Sequence, residues 1–237
     1  MPGIPILPEA QKQPLDHVIW EALASRHRNL AEGDERARRY PADMAPFAAT
    51  IDTSPESFRS LLPLLPAGDR VALFTINEVS PPSTFSVVKR DLVDQMVLVD
   101  RPPSVGVAPF VRLNIADVPE MRALADATQP GPFNSRTIEL GRYFGIRHDG
   151  KLVAMAGERF RLEGFTEISA VCVHPSHRGV GWAAELVNAI ARSIAFRGET
   201  PFLHVFASNR PAIELYRKLG FVQRRRMHLA ILMRSVE

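Results

Sequence analysis

Hydrophobic and polar positions divide the chain into a sparsely patterned first half and a densely patterned second half. Leu15, Val18, Ile19, Ala22 and Leu23 recur at helical spacing, and the charged run after them extends the predicted helix through residues 15–40, with Arg36–Arg39 as a solvated face. Prolines at 41, 46, 55, 63 and 66 then break the chain into short segments, with a short helix over 57–65. Val71–Ile76 is a β-rich apolar run after Pro66-Ala67-Gly68-Asp69 and predicts a buried strand; 85–88 and 95–99 predict two more. No chemistry concentrates in this half. Arg101-Pro102-Pro103-Ser104-Val105-Gly106 has linker composition and suggests a division into domains 1–105 and 110–237.

Beyond it the pattern tightens. A strand at 110–113 is followed by a helix at 118–127 with Asp117 as N-cap, ended by Gln129-Pro130-Gly131-Pro132. Strands at 141–148 and 151–159 flank Asp149-Gly150, a two-residue hairpin turn. A strand through Val173 precedes an amphipathic helix at 182–197, with Ala183, Leu186, Val187, Ile190 and Ile194 on one face. A strand at 202–207 and a helix capped by Asn209 follow; strand segments at 221–222 and 227–233 close the chain. The order β-α-β-β-β-α-β-α-β predicts an α/β fold with a mixed sheet and flanking helices.

Composition adds a few bounds. At 237 residues the chain supports one large domain or two smaller ones, and a single cysteine excludes an intramolecular disulfide framework. No apolar run reaches the roughly 20 residues of a membrane helix, and Met1–Ala10 lacks a basic segment, so a cytoplasmic protein without a membrane partner is expected. Net charge is uneven. Residues 1–109 hold 11 Lys+Arg against 14 Asp+Glu (−3), and residues 110–237 hold 18 against 12 (+6). A basic second half suits a phosphorylated cofactor. The one dense basic cluster, Arg224-Arg225-Arg226, has no interleaved aromatics, so nucleic acid is disfavoured as a partner.

The stretch Glu167–Ala183 carries the chemistry. β-Branched strand residues end at Val173, His174-Pro175 breaks the strand, and Arg178-Gly179-Val180-Gly181 bends into the helix opening at Trp182. A glycine bend between strand and helix aims backbone N–H groups at a phosphate. Neither a Gly-Lys-Ser/Thr ending nor a Gly-x-Gly-x-x-Gly pattern is present. Arg178-x-x-Gly181-x-Ala183 stands instead, and downstream Asn209 is followed by Ala212, Tyr216, Gly220 and Phe221.

These two signatures, on that element order, resemble the GNAT N-acetyltransferase superfamily in its FR47-like branch, over roughly residues 110–237. The family patterns are Gln/Arg-x-x-Gly-x-Gly/Ala and Asn-x-x-Ala-x-x-x-Tyr-x-x-x-Gly-Phe. The resemblance implies a mostly antiparallel, twisted sheet flanked by helices, and acetyl-CoA as co-substrate. It leaves residues 1–105 uncovered, either as a degenerate second copy of the fold or as an unrelated cap.

Acetyl transfer to an amine requires a held cofactor, a polarised carbonyl, a deprotonated amine and a protonated leaving thiolate. Backbone N–H groups of Arg178, Gly179, Val180, Gly181, Trp182 and Ala183 are candidates for the pyrophosphate, helped by the helix N-terminus. The resemblance implies that Val171, Cys172 and Val173 bond the pantetheine arm as an added strand, and that Asn209, Ala212 and Tyr216 meet the cofactor from one helix face. Tyr216 is the candidate acid. Glu167, which strand alternation places with Ser169, Val171 and Val173, resembles the general base of some family members; water is the other candidate. Glu158 and Glu139 are weaker alternatives. Cys172 reads as a buried core thiol rather than a nucleophile, and His174 and His177 lack a third ligand, so no metal is expected. The function expected is N-acetyl transfer from acetyl-CoA to a primary amine of a small molecule or peptide, by a monomer or homodimer. The alternative is a non-catalytic CoA-binding regulatory protein.

Overall fold

Strand-forming runs from both halves of the chain join one sheet. The computed structural model describes residues 13–99 and 110–235; the linker at 101–106 and the start at 1–10 lie outside them. The helices are α1 (Gln13–Asp16), α2 (Val18–Ala24), α3 (Pro55–Leu61), α4 (Val118–Thr128), α5 (Trp182–Phe196) and α6 (Arg210–Lys218). The strands are β1 (Glu32–Gly33), β2 (Ala37–Arg39), β3 (Ala48–Thr50), β4 (Arg70–Thr75), β5 (Phe85–Leu98), β6 (Phe110–Leu113), β7 (Tyr143–His148), β8 (Lys151–Leu162), β9 (Phe165–Val173), β10 (Thr200–Phe206) and β11 (Phe221–Arg234). A small sheet runs β1-β2-β3, and an eight-stranded sheet runs β4-β11-β5-β10-β9-β8-β7-β6. Within the large sheet only β9 and β10 are parallel. The fold is thus the expected mixed, mostly antiparallel α/β sheet flanked by helices.

The large sheet contains strands from both sides of the division suggested near residue 105. β5 lies between β10 and β11, and β4 forms the outer edge beyond β11. The two strands expected at 85–88 and 95–99 are one 14-residue strand, because the polar stretch Lys89-Arg90-Asp91 stays paired with β11. The helix expected over 15–40 stops at Ala24. Asp34 Oδ1 accepts from Arg36 N (2.7 Å) and Ala37 N (2.9 Å), which tightens the turn between β1 and β2. Arg39, expected on a solvated face, is 2% exposed and donates to the carbonyl of Leu64 at 2.6 Å.

One face of the sheet packs on α5 and α6, where Leu186, Ile190, Ile194 and Ile213 meet Met96, Ile168, Leu203 and Phe221. The other face is covered by α2, over Phe160, Phe202 and Met227, and by α4, over Tyr143, Met155 and Cys172. Each fully buried large apolar side chain here contributes about 2 kcal/mol of transfer free energy.

The parallel pairing of β9 with β10 is brief. It runs from Thr200↔Phe165 to Phe202↔Glu167 and then stops. β10 continues along β5 as far as Phe206↔Val93, while β9 continues along β8 as far as Ala154↔Val173. The strands therefore diverge, and the β9 edge from Ile168 to Val173 has no strand partner on that side. Ala170 sits at φ 53°, inside a register shift between β8 and β9. A bulge of this kind bends the strand that carries it.

Candidate active site

A cavity of about 420 Å³ occupies the gap where β9 and β10 separate. Ile168–Val171 of β9 line it on one side and His204–Phe206 of β10 on the other. Asn209, Ala212 and Tyr216 enter from α6; Phe47, Phe74 and Arg159 line the part toward the opposite face of the sheet. The cavity therefore reaches both sheet faces through the gap.

On the α6 side, Asn209 caps the helix by accepting from Ala212 N at 3.2 Å. Tyr216 follows two turns later, so the two residues and Ala212 reach the same cavity, as the spacing predicts. The Tyr216 ring packs edge-on to Phe221, and its hydroxyl has no hydrogen-bond partner among the described residues. Burial pushes its pKa up to about 12, with the Cys172 thiol adding to the shift. The phenol stays protonated throughout the neutral range.

The loop Arg178–Ala183 lies beyond the end of β9. Arg178 Nε donates to the Val173 carbonyl at 3.3 Å, and Trp182 stacks on His177 at 5.6 Å. Gly179 and Gly181 have φ 84° and 88°, values that L side chains adopt only with strain. A Cβ on either would meet nothing within 4 Å. The N–H groups from Gly179 to Ala184 have no acceptor among the described residues. Open space beside unpaired donors at the N-terminus of a 15-residue helix fits a phosphate group.

Alternation does not survive the bulge at Ala170. Val171 and Val173 pack with Ile168 toward α5, whereas Ala170 and Cys172 face α4. Glu167 lies in the row that turns away from Val171 and Val173, so the face the sequence predicted for these residues is not shared. Cys172 is buried, and burial raises its thiol to about 11.

Glu167 is fully buried and does not line the cavity. Arg159 grips its carboxylate on both oxygens, Nε to Oε2 at 2.6 Å and Nη2 to Oε1 at 2.7 Å, and His204 Nδ1 lies 2.7 Å from Oε1. Burial alone would raise this carboxyl, but the Arg159 charge and the bonds from Arg159 and His204 overcome it, leaving Glu167 at about 2. A carboxylate only accepts, so His204 Nδ1 carries the proton. His204 Nε2, 3.1 Å from the Gln95 amide nitrogen, is then the acceptor of that bond. Burial lowers the His204 pKa, with the Arg159 and Arg224 charges acting the same way against Glu167. The imidazole is neutral at pH 7.

This row continues across the sheet. The Gln95 amide also donates to the Leu15 carbonyl at 2.9 Å, its Oε1 accepts from Arg224 at 2.8 Å, and Arg224 reaches Asp16 at 2.6 Å. Arg226 pairs with Asp94 at 2.7 Å, so both ends of the basic cluster answer buried acceptors. The other carboxylates have structural partners: Glu158 pairs with Arg197 at 2.9 Å, and Glu139 with Arg136 at 2.8 Å. Among the described residues, no group of three or more His, Cys, Asp or Glu could hold a metal ion. Sequence reading missed Arg159, His204 and Phe74 as cavity residues. Only His204 had a signal, a lone histidine in an apolar strand.

Residues 143–229 match the family model of the FR47-like protein. No curated protein matches the chain. Among solved structures, a GNAT-family protein from Novosphingobium aromaticivorans DSM 12444 is 39% identical, with a TM-score of 0.88 over 94% of this chain and 99% of that one. The chain belongs to the GNAT family. A GCN5-related N-acetyltransferase from Kribbella flavida shares the fold at 15% identity and TM-score 0.64, covering 98% of each chain. One from Sphaerobacter thermophilus does so at 18% and 0.53, over 94% of this chain and 93% of that one. These likenesses span nearly the whole GNAT chain, so the shared fold includes strands contributed by the first half. Among the described residues no helix is long and apolar enough to cross a membrane.

Proposed function

We propose that this GNAT protein moves an acetyl group from acetyl-CoA to a primary amine of a small molecule or peptide by direct attack. The observation that carries the reading is the opening between β9 and β10, with the unpartnered Tyr216 hydroxyl on one side, together with the unpaired N–H groups of Gly179–Ala184, which follow β9 in the chain and do not line that cavity. Acetyl-CoA supplies the activated acetyl group. The turn at Gly179–Gly181 holds its pyrophosphate, and the free edge of β9 at Val171–Val173 takes the pantetheine arm as an added strand. Asn209 and Ala212 shape the α6 wall beside it.

As the amine nitrogen bonds the acetyl carbon and the carbon–sulfur bond breaks, Tyr216 donates to the sulfur and later regains a proton from solvent. The amine proton leaves to water; His204 does not take it, because Nδ1 donates to Glu167 and Nε2 already accepts from Gln95. Protonating Glu167 at pH 7 would cost about 7 kcal/mol, five units at 1.36 kcal/mol each, so Glu167 is a poor direct base. Its role is positioning: it grips Arg159 on both oxygens and fixes His204 Nδ1–H.

A free-thiol assay with acetyl-CoA against amines, amino acids and peptides tests the reading. Amine-dependent thiol release is expected. Stabilisation by acetyl-CoA without turnover on any amine would instead favour a non-catalytic CoA-binding regulator.

A further inference from the structure

The charge of the cavity limits what sort of amine enters it. Among the described residues no Asp or Glu lines the space, whereas Arg70, Lys89 and Arg159 do. A site for polyamines or lysine side chains would use carboxylates to hold cations; this one would repel them. Arg159 is the fixed member. Glu167 holds its Nε and Nη2, and its guanidinium carbon stands 4.7 Å from the Phe47 ring centroid and 4.6 Å from that of Phe160. Its remaining nitrogen, Nη1, has no acceptor among the described residues, and its side chain is 11% exposed. A guanidinium held flat in this way is organised in advance for a carboxylate oxygen. Arg70 lies at the exposed end and has no ion-pair partner among the described residues. Lys89, half-exposed, pairs with Asp91 at 3.0 Å and sits over Phe206 at 5.3 Å. The wall between these cations is apolar, from Phe74, Val93, Leu229 and Ile231.

We infer that the acceptor is an amino carboxylate with an apolar or aromatic substituent, such as an apolar α-amino acid, and not a polycation. Arg159 Nη1 receives the carboxylate beside the β9–β10 opening, where the amine must stand. Arg70 and Lys89 attract the anion to the mouth, and the apolar wall takes the substituent. The surrounding positive charge also favours the neutral amine, the form that attacks. This inference rests on the proposed acetyl transfer.

The test compares kcat/KM for phenylalanine, phenylalaninamide, phenethylamine and spermidine in the thiol-release assay, with wild type and the double variant R70Q/K89Q. Phenylalanine is expected to exceed its amide and phenethylamine by about tenfold or more, equivalent to at least about 1.4 kcal/mol. In R70Q/K89Q that preference falls about threefold or more through KM, and it falls with added salt in wild type. Equal or better use of the uncharged-tail amines, or preference for spermidine, overturns the inference while acetyl transfer stands. Acetyl-CoA binding without thiol release on any amine overturns the proposed function and the inference with it.

Discussion

Replacing Glu167 by Gln keeps the side-chain shape but removes the charge between Arg159 and His204. Folding holds the ionised carboxyl at about 2 against an ordinary 4.5, a difference of about 2.5 units. At 1.36 kcal/mol per unit the charge contributes about 3 kcal/mol of stability at neutral pH. The Gln variant stands for the protonated form and should lose about that amount. This agrees with the 3–5 kcal/mol typical of removing one partner from a buried ion pair. The group's folded pKa is depressed, so its contribution is complete above the unfolded pKa of 4.5 and is lost as pH falls toward 2. Urea unfolding, followed by tryptophan fluorescence, should therefore give a wild-type minus E167Q gap of about 3 kcal/mol at pH 7 that narrows below pH 4.5. A gap under about 1 kcal/mol, or one that does not change with pH, would refute the claim that Glu167 is an ionised, positioned carboxylate.

Three further outcomes follow from the same geometry. Gly181→Ala places a Cβ in the open space at φ 88°, so acetyl-CoA affinity should fall about tenfold or more by calorimetry, against a folding cost of only about 1 kcal/mol. His27, buried beside the Tyr40 hydroxyl at 2.9 Å, is lowered by burial, with the Arg161 charge adding, to about 4. The unfolded chain takes up that proton near 6.5, so stability should decline as pH falls from 6.5 to 4, by about 3 kcal/mol in full, and His27→Gln should flatten this part of the curve. Cys172, raised to about 11 and buried, should react with a thiol reagent at pH 7.5 at least about a hundredfold more slowly in the folded protein than in urea.

What the sequence disclosed follows the range of the interactions. Asp149-Gly150 was legible because a two-residue turn demands positive φ, and both residues have it, at 49° and 76°. Asn209, Ala212 and Tyr216 were legible because one helix fixes their spacing. The placement of β5 between β10 and β11 was not, since strand pairing over more than a hundred residues has no local pattern. The face of Glu167 was misread for a local reason: the Ala170 bulge breaks the period of two on which alternation depends. The row from Asp16 through Arg224, Gln95, His204 and Glu167 to Arg159 joins residues up to 208 positions apart, and no motif signals it. Arg159 and Glu167 are eight apart on paired strands, a cue visible only once the β8–β9 pairing is known.

We propose that acetyl transfer takes place where β9 and β10 separate, with Tyr216 as the acid. Pre-steady-state thiol release by Tyr216→Phe, measured beside its acetyl-CoA affinity, tests this most directly. The expected rate is at least about a hundredfold lower, with affinity within about twofold of wild type. An unchanged rate at unchanged affinity would contradict it.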